Sequence, residues 1–353
     1  MAGIYSNFFR EAVVIIHTIL FIISCTGALI ISIPLLIYRQ LVIITARIYN
    51  PDLTNIVAPQ QQLLAHDRLH DEDKVTFNIC TWQVLENPVC LNNLRKLVQK
   101  NLIAQRKSGG KLEFPEFQQY FEQFGGYLFW KWDRDFDVSN HVRYFQNENG
   151  NNGVTNEKDL QDIISNLLST RWPRNRSLWE ILVINRYQPI KEDKEKSIII
   201  IRFHHSLADG YSYLNFVVRR LCQAENLVAA VQSVPKFSLC QKLSQALAAP
   251  FKQPYDFVQL FKMMEPDNNP WILRRRTDFQ KQYFTVWSQP IPVGTLKKIK
   301  VKQEVSFQAV LNSIVCGAIQ RLMSRAEQRI PEKMMAFIPL PLPNHPGGLR
   351  IHT

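Results

Sequence analysis

From Ala12 to Tyr38 the chain carries no Asp, Glu, Lys or Arg, and only His17 and a few small polar residues interrupt its apolar character. The stretch exceeds the ~20 residues that a helix needs to cross the hydrocarbon core of a bilayer. Inside lipid, an α-helix is the only single segment that satisfies its own backbone hydrogen bonds. Arg10 precedes the stretch, and Arg39 and Arg47 follow it. A cleaved secretory signal has an apolar region of only ~7–15 residues, so the sequence predicts an uncleaved anchor over residues 1–49. Pro34 leaves two geometries open, a kinked helix or a hairpin that never crosses. Leu41 to Ile48 stays apolar beyond Arg39, as an interfacial stretch does.

The rest of the 353 residues is a globular sequence with 46% hydrophobic and 11% aromatic residues, enough for two domains or one two-lobed domain. A formal net charge of +12 calls for an acidic partner: nucleic acid, anionic headgroups or a phosphorylated cosubstrate. Nucleic acid is the weakest of these. The aromatic segment Phe114–Trp132 that would stack bases is threaded with Glu116, Glu122 and neighbouring acids, so it reads as core and inter-lobe packing. Cys25, Cys80, Cys90, Cys222, Cys240 and Cys316 form no CxxC or metal-like spacing, which points to a reduced compartment. His66, Asp67, His70, Asp71, Glu72 and Asp73 make a diffuse set without a metal-binding motif, and read as a solvated acidic turn.

Hydrophobic periodicity places a strand at Val75–Val84 and a helix at Leu91–Leu102 with Leu94, Leu97, Val98 and Leu102 inward. Ser108-Gly-Gly-Lys111 is a turn. Asn156 caps a helix with Leu160, Ile163, Ile164, Leu167 and Leu168 on one face. Ile181–Asn185 reads as a buried strand, followed by a charged loop, Lys191–Lys196, and a second strand. Ala224–Pro270 is weakly patterned, with a short helix at Ser238–Ala249. Ser306–Leu322 is an amphipathic helix, and Met335–Leu340 a strand. Two basic groups, Arg274, Arg275 and Arg276, and Lys297, Lys298, Lys300 and Lys302, are candidates for phosphate contacts. Three of the lysines share a face if their segment is a strand.

The second strand, Ile198–Ile201, is a β-branched run that ends at Arg202-Phe203 and delivers His204 and His205 side by side. A neutral imidazole takes a proton near physiological pH. Successive strand residues face opposite ways, so only one of the pair reaches a given cleft, and the other is packed or hydrogen-bonded. Asp209 braces the loop, by capping the next helix or by pairing with an arginine. Gly210 supplies backbone angles or close approaches that a Cβ would forbid.

His204-His205-Ser206-Leu207-Ala208-Asp209-Gly210 fits HHxxxDG. That pattern resembles the coenzyme-A-dependent acyltransferase superfamily, and within it the wax ester synthase/diacylglycerol acyltransferase family. Three other stretches resemble the same family in the same order. They are Tyr127-Leu-Phe-Trp-Lys-Trp132 with Phe136-Asp-Val-Ser-Asn-His141-Val-Arg143; Trp172 to Trp179-Glu180, with Ser177 where proline is usual; and Ile338-Pro-Leu-Pro-Leu-Pro343. The family usually carries Asn-Asp near the start of the later amphipathic helix, where this chain has Gln308-Ala309.

The resemblance implies an α/β (α+β) fold of the chloramphenicol-acetyltransferase type, two-lobed, with an incomplete second lobe and a transmembrane helix in front. The domains expected are residues 1–49 as anchor, 50–232 as the lobe carrying HHxxxDG, 233–276 as crossover and 277–353 as partial second lobe. It implies acyl transfer from acyl-CoA, a co-substrate with no bound cofactor and no metal, to diacylglycerol or a long-chain alcohol. His205 is the implied base, His204 a packed partner, Asp209 a loop support and Gly210 the residue that keeps the channel open. The expected setting is a single-pass membrane protein of the endoplasmic reticulum, its catalytic domain facing the cytosol. The alternative is a catalytically silent, membrane-anchored lipid-binding protein. A lobe cut at Thr353 is expected to leave the amphipathic helix partly uncovered.

Overall fold

The computed structural model describes residues 2–71, 75–146, 155–190, 193–222, 237–263, 283–288, 291–330, 349 and 351. In chain order the elements are α1 (Ala2–Tyr49), β1 (Leu53–Ile56), α2 (Pro59–Ala65), β2 (Asn78–Leu85), α3 (Leu91–Val98), β3 (Gln119–Phe124) and β4 (Tyr127–Trp132). There follow α4 (Val138–His141), β5 (Val142–Tyr144), β6 (Thr155–Asn156), α5 (Glu157–Ser169), β7 (Trp179–Gln188), β8 (Lys196–His204) and α6 (Gly210–Leu214). Last come α7 (Leu239–Met263), α8 (Val293–Lys302) and α9 (Phe307–Arg325). The fold is mixed α/β. One compact unit comprises Ile31–Pro235 with Lys281–Thr285 and Pro339–Thr353; the other comprises Met1–Ile30, Lys236–Gln280 and Val286–Ile338.

The first unit is built on a sheet in the order β2-β8-β7-β5, with β6 also paired to β7. β8 is antiparallel to both neighbours, and β5 and β6 run parallel to β7. β8 is central, and Ile198, Ile200 and Ile201 are buried, which is why the segment reads as an unbroken apolar run rather than an alternating one. The hairpin of β7 and β8 is the strand–loop–strand arrangement expected. Helix α5 begins with a capping box, Asn156 accepting from the Asp159 N–H and Asp159 from the Asn156 N–H. Its Leu160, Ile163, Ile164 and Leu167 are buried. Leu94 and Val98 of α3, and Leu102 in the π-helical turn that continues it, join a core with Phe117, Trp130, Trp179, Ile181 and Phe203.

A smaller antiparallel sheet, β1-β4-β3, turns on Gly125 and Gly126, both at positive φ (55° and 78°). Phe124 faces Tyr127 across this two-residue turn, the geometry that two left-handed residues allow. This hairpin seats the end of α1. Val42 and Ala46 are buried against Leu53 and Phe129, and the Tyr38 hydroxyl donates to the Gly125 carbonyl (3.2 Å). A Cβ on Gly125 would lie 2.8 Å from Val42 Cγ1.

Helix α1 is continuous over 48 residues with Pro34 inside it, so the hairpin alternative is corrected to a single helix. Its 35 residues from Ile15 to Tyr49 include an 18-residue window of mean hydropathy 2.5 and are long and apolar enough to cross a membrane.

In the other unit, α7 extends well past the short helix expected and contains Pro250 and Pro254, and Phe21 of α1 stacks on Phe257 (5.0 Å between ring centroids). Helix α9 is capped by Ser306. Val310 and Met323 are buried, while Ile314, Val315 and Leu322 of its apolar face are exposed. The strand expected at Met335–Leu340 lies outside the described residues.

Candidate active site

His204 is the last residue of β8, and His205 opens the turn that follows. Both neighbouring chain segments grip this corner. The His204 N–H donates to the Leu178 carbonyl (3.0 Å), and the His205 N–H to the Phe77 carbonyl (2.8 Å). The Leu207 N–H returns to the His204 carbonyl (2.9 Å), and Asp209 closes the loop by accepting from the Ser212 N–H (2.7 Å) as the N-cap of α6. Asp209 is thus the helix cap, the first of the two roles open to it.

The two imidazoles are differently placed. His204 is fully buried. Its Nδ1 accepts from the Ser206 N–H (3.2 Å) and lies 2.7 Å from Ser206 Oγ, so the ring proton sits on Nε2. Nε2–H donates to Asp67 Oδ2 (3.2 Å). Both nitrogens of His204 are therefore occupied. Burial lowers its pKa from the ordinary 6.5, only partly offset by Asp67, and keeps it neutral.

His205 is half-buried. Its Nδ1 lies 3.1 Å from the Ala208 carbonyl, an acceptor only, so Nδ1 carries the proton and Nε2 the lone pair. No described residue engages that Nε2. The arrangement can take a proton from a hydroxyl placed beside Nε2 while the backbone fixes the ring from behind.

Asp67 is the group that the sequence did not reveal. Its side chain is 5% exposed, which corrects the expectation of a solvated acidic turn. Oδ2 accepts from the Thr76 N–H (2.7 Å), the Phe77 N–H (3.0 Å) and His204; Oδ1 accepts from the Arg68 N–H (2.9 Å) and the Thr76 hydroxyl (3.1 Å). Burial alone would raise its pKa, but these hydrogen bonds outweigh it and hold the carboxyl at about 2, below the ordinary 3.8. One residue then links Asp67 to His205: Phe77 donates its N–H to the carboxylate and accepts the His205 N–H at its carbonyl. Among the described residues no group of three His, Cys, Asp or Glu could hold a metal ion.

Beneath the histidines runs a buried ionic row. Cys80, Arg202 and Glu180 are cross-strand partners on β2, β8 and β7. Glu180 accepts from Arg202 Nη1 (2.6 Å) and from Arg143 Nη2 (2.8 Å). Arg202 also donates to the Thr170 carbonyl and stacks on Trp172 (3.9 Å). Trp172 in turn donates its indole N–H to Asn78 (2.7 Å), the partner of His204 across β2. Burial pushes the Cys80 thiol up to about 12. Trp179 stacks on His141 (4.5 Å), whose pKa burial lowers. The stretches around His141–Arg143, Trp172–Glu180 and His204–Gly210, far apart in sequence, thus meet in one packed region.

The remaining expected residues divide. Gly210 has neither a positive φ nor a close neighbour, and a Cβ there meets nothing within 4 Å. The backbone reason offered for it is therefore overturned, and open space beside it is what remains. Lys298 and Lys300 lie on α8, a helix and not the strand considered, so alternate lysines do not share a face. Arg274, Arg275 and Arg276 lie outside the described residues.

Residues 112–267 match the family of the wax ester synthase/diacylglycerol acyltransferase catalytic domain. An 82-residue stretch is 33% identical to wax ester synthase/diacylglycerol acyltransferase 8 of Arabidopsis thaliana, covering 22% of this chain and 16% of that protein. The solved wax ester synthase/diacylglycerol acyltransferase of Marinobacter aquaeolei VT8 aligns with a TM-score of 0.47 at 14% identity, over 79% of this chain and 62% of that one. The first condensation domain of the calcium-dependent antibiotic synthetase aligns with a TM-score of 0.41 at 12% identity, over 77% and 61%. The chain thus spans less than two thirds of these relatives. Residues 112–267, which contain the histidine loop, are thus similar to the wax ester synthase/diacylglycerol acyltransferase catalytic domain.

Proposed function

We propose that the chain is an acyl-CoA-dependent O-acyltransferase that moves a fatty acyl group to a lipid hydroxyl, with His205 as the general base. The observation that carries this reading is the unlike state of the two histidines: both nitrogens of His204 are occupied, whereas Nε2 of His205 presents a lone pair. Nε2 takes the acceptor's hydroxyl proton as its oxygen attacks the thioester carbonyl. The tetrahedral intermediate collapses, the C–S bond breaks, and the coenzyme A thiolate recovers that proton from the imidazolium. The thioester is already activated, so no enzyme nucleophile takes part. His204 and Asp209 hold the loop, and acyl-CoA is a co-substrate rather than a resident cofactor. The acceptor class is diacylglycerol or a long-chain alcohol, both membrane residents, which suits a chain with α1.

The reading extends to the setting. Helix α1 crosses the endoplasmic reticulum membrane once, with the Ile31–Pro235 unit on the cytosolic side where Arg39 and Arg47 lie. A span of 35 residues is about 52 Å long as a helix, against a ~30 Å hydrocarbon core. Ile37, Leu41, Ile44 and Ile48 form an exposed apolar stripe at helical spacing. On this reading the helix tilts, and the stripe lies in the headgroup boundary.

A catalytically silent lipid-binding protein is the second reading. Gln308 stands where the family resemblance leads one to expect Asn, and its side chain is bonded to Asn312 (3.0 Å) on an α9 whose apolar face is exposed. Incubating membranes that carry the full chain with labelled acyl-CoA and either a diacylglycerol or a long-chain alcohol decides between the two. Labelled triacylglycerol or wax ester above the level of empty membranes supports the enzyme; binding of acyl-CoA without product supports the silent protein.

A further inference from the structure

We infer that the first unit holds a second lipid site, apart from the histidine loop, for a single-chain amphiphile whose head presents a hydrogen-bond-accepting oxygen. A cavity of about 950 Å³ opens between the β1-β4-β3 sheet, α2 and the Arg106–Pro115 segment. That volume lies within the range of small-molecule sites. No residue of the HHxxxDG loop lines it, nor does Asp67 or Phe77. Trp130, Trp132, Leu112, Ile56 and Leu349 give it an apolar wall, and Arg106 and Lys111 stand on its lining against the single carboxylate of Glu116.

The feature that marks a built site is Gln61. It lines the cavity, is 5% exposed, and its Nε2 is buried with no hydrogen-bond partner among the described residues. Its neighbour Gln62 is satisfied on both sides, donating to the Val57 carbonyl (2.7 Å) and accepting from the Leu128 N–H (3.4 Å), so the helix does not lack partners in general. A buried amide donor without an acceptor is disfavoured, and folded proteins rarely leave one. A turn of the Gln61 side chain toward the cavity would bring Nε2 to an acceptor oxygen of a ligand and remove that defect, while the indoles cover an alkyl chain. A carboxylate head gains from Arg106 and Lys111; an alcohol head meets Gln61 equally but not the cations. The shared chemistry is an acyl-type chain with an acceptor oxygen.

The inference does not rest on the acyltransferase reading, and its test is arranged accordingly. Full-length protein carrying His205→Ala, in lipid nanodiscs, is irradiated with a 12-carbon carboxylate bearing a terminal diazirine, and adducts are mapped by mass spectrometry. Adducts are expected in peptides that contain Ile56, Leu112 or Trp130, suppressed by excess dodecanoate. Stronger competition by dodecanoate than by dodecanol assigns a charged head; equal competition assigns a neutral one. Gln61→Leu should lower the labelling at those peptides about tenfold, as loss of one buried hydrogen bond does. Its unfolding midpoint should stay level or rise, because the orphaned amide is gone. If that variant does not fold, Trp132→Ala, at a partly exposed position, should give the same loss. Adducts confined to α1, or labelling of the cavity peptides unaltered by the folded variant, would overturn the inference.

Discussion

Replacing Asp67 with Asn leaves the shape nearly unchanged and removes the acceptor that ties the histidine corner together. The carboxylate takes five hydrogen bonds, two at Oδ1 and three at Oδ2. An amide nitrogen placed at either position faces at least two donors, and the bonds that survive lose their charge assistance. A hydrogen bond to a charged group contributes about 1.5–3 kcal/mol, against about 0.5–1.5 for a neutral one. The Thr76 hydroxyl and the Arg68 N–H can turn to water, so the net loss should be about 3 kcal/mol. Tryptophan fluorescence during denaturant unfolding of the full chain in detergent measures it, since Trp82, Trp130, Trp132, Trp172 and Trp179 all lie in the Ile31–Pro235 unit.

A pH signature accompanies this. The folded pKa of Asp67 is held at about 2, below the 3.8 of the free group, so its contribution is full above 3.8 and disappears as pH falls through 2. The gap between wild type and Asp67→Asn should therefore narrow below pH 3.8, by an amount on the order of 1–2 kcal/mol after solvent screening. A gap under about 1 kcal/mol at pH 7, or one that does not narrow in acid, would show that Asp67 does not anchor this corner.

Glu180→Gln should destabilise the first unit by about 3–5 kcal/mol, because it strands the buried Arg202; Glu180→Gln combined with Arg202→Met should recover much of that in the same unfolding assay. Gly125→Ala meets both a positive φ and the side chain of Val42, and should lower the unfolding free energy by about 1–3 kcal/mol; added protease should then cut sooner after Tyr49. Burial lowers the pKa of His204 and of His141, so the unfolded chain binds protons first as pH falls below 6.5. Wild-type stability should decline from pH 6.5 downward, and a His204→Gln, His141→Gln double variant should flatten that slope.

Much of the first unit was legible because its signals are local. The isoleucine run of β8, the Asn156 cap of α5 and the 3.6-residue spacing of Leu94, Val98 and Leu102 each declare an element within one window. The Gly125-Gly126 turn between two aromatic runs was equally local, yet the aromatics alone drew the reading toward general packing. Asp67 could not be found that way. Its partner His204 is 137 positions distant, and the surrounding acids make it look like part of a solvated turn. The ionic row from Glu180 to Arg202 exists only through strand register, which the sequence does not display. The alternate lysines of α8 suit a strand as well as a helix, and the helix that forms there scatters them.

The central claim is that Nε2 of His205 takes the acceptor's proton. Single-turnover acyl transfer from labelled acyl-CoA to a diacylglycerol and to a long-chain alcohol tests it, with wild type, His205→Ala and His204→Ala compared at equal amounts of folded protein. His205→Ala should lose about 10²–10⁴-fold in the transfer step with an unchanged unfolding midpoint, and His204→Ala should lose chiefly stability. Equal transfer rates for wild type and His205→Ala would contradict it.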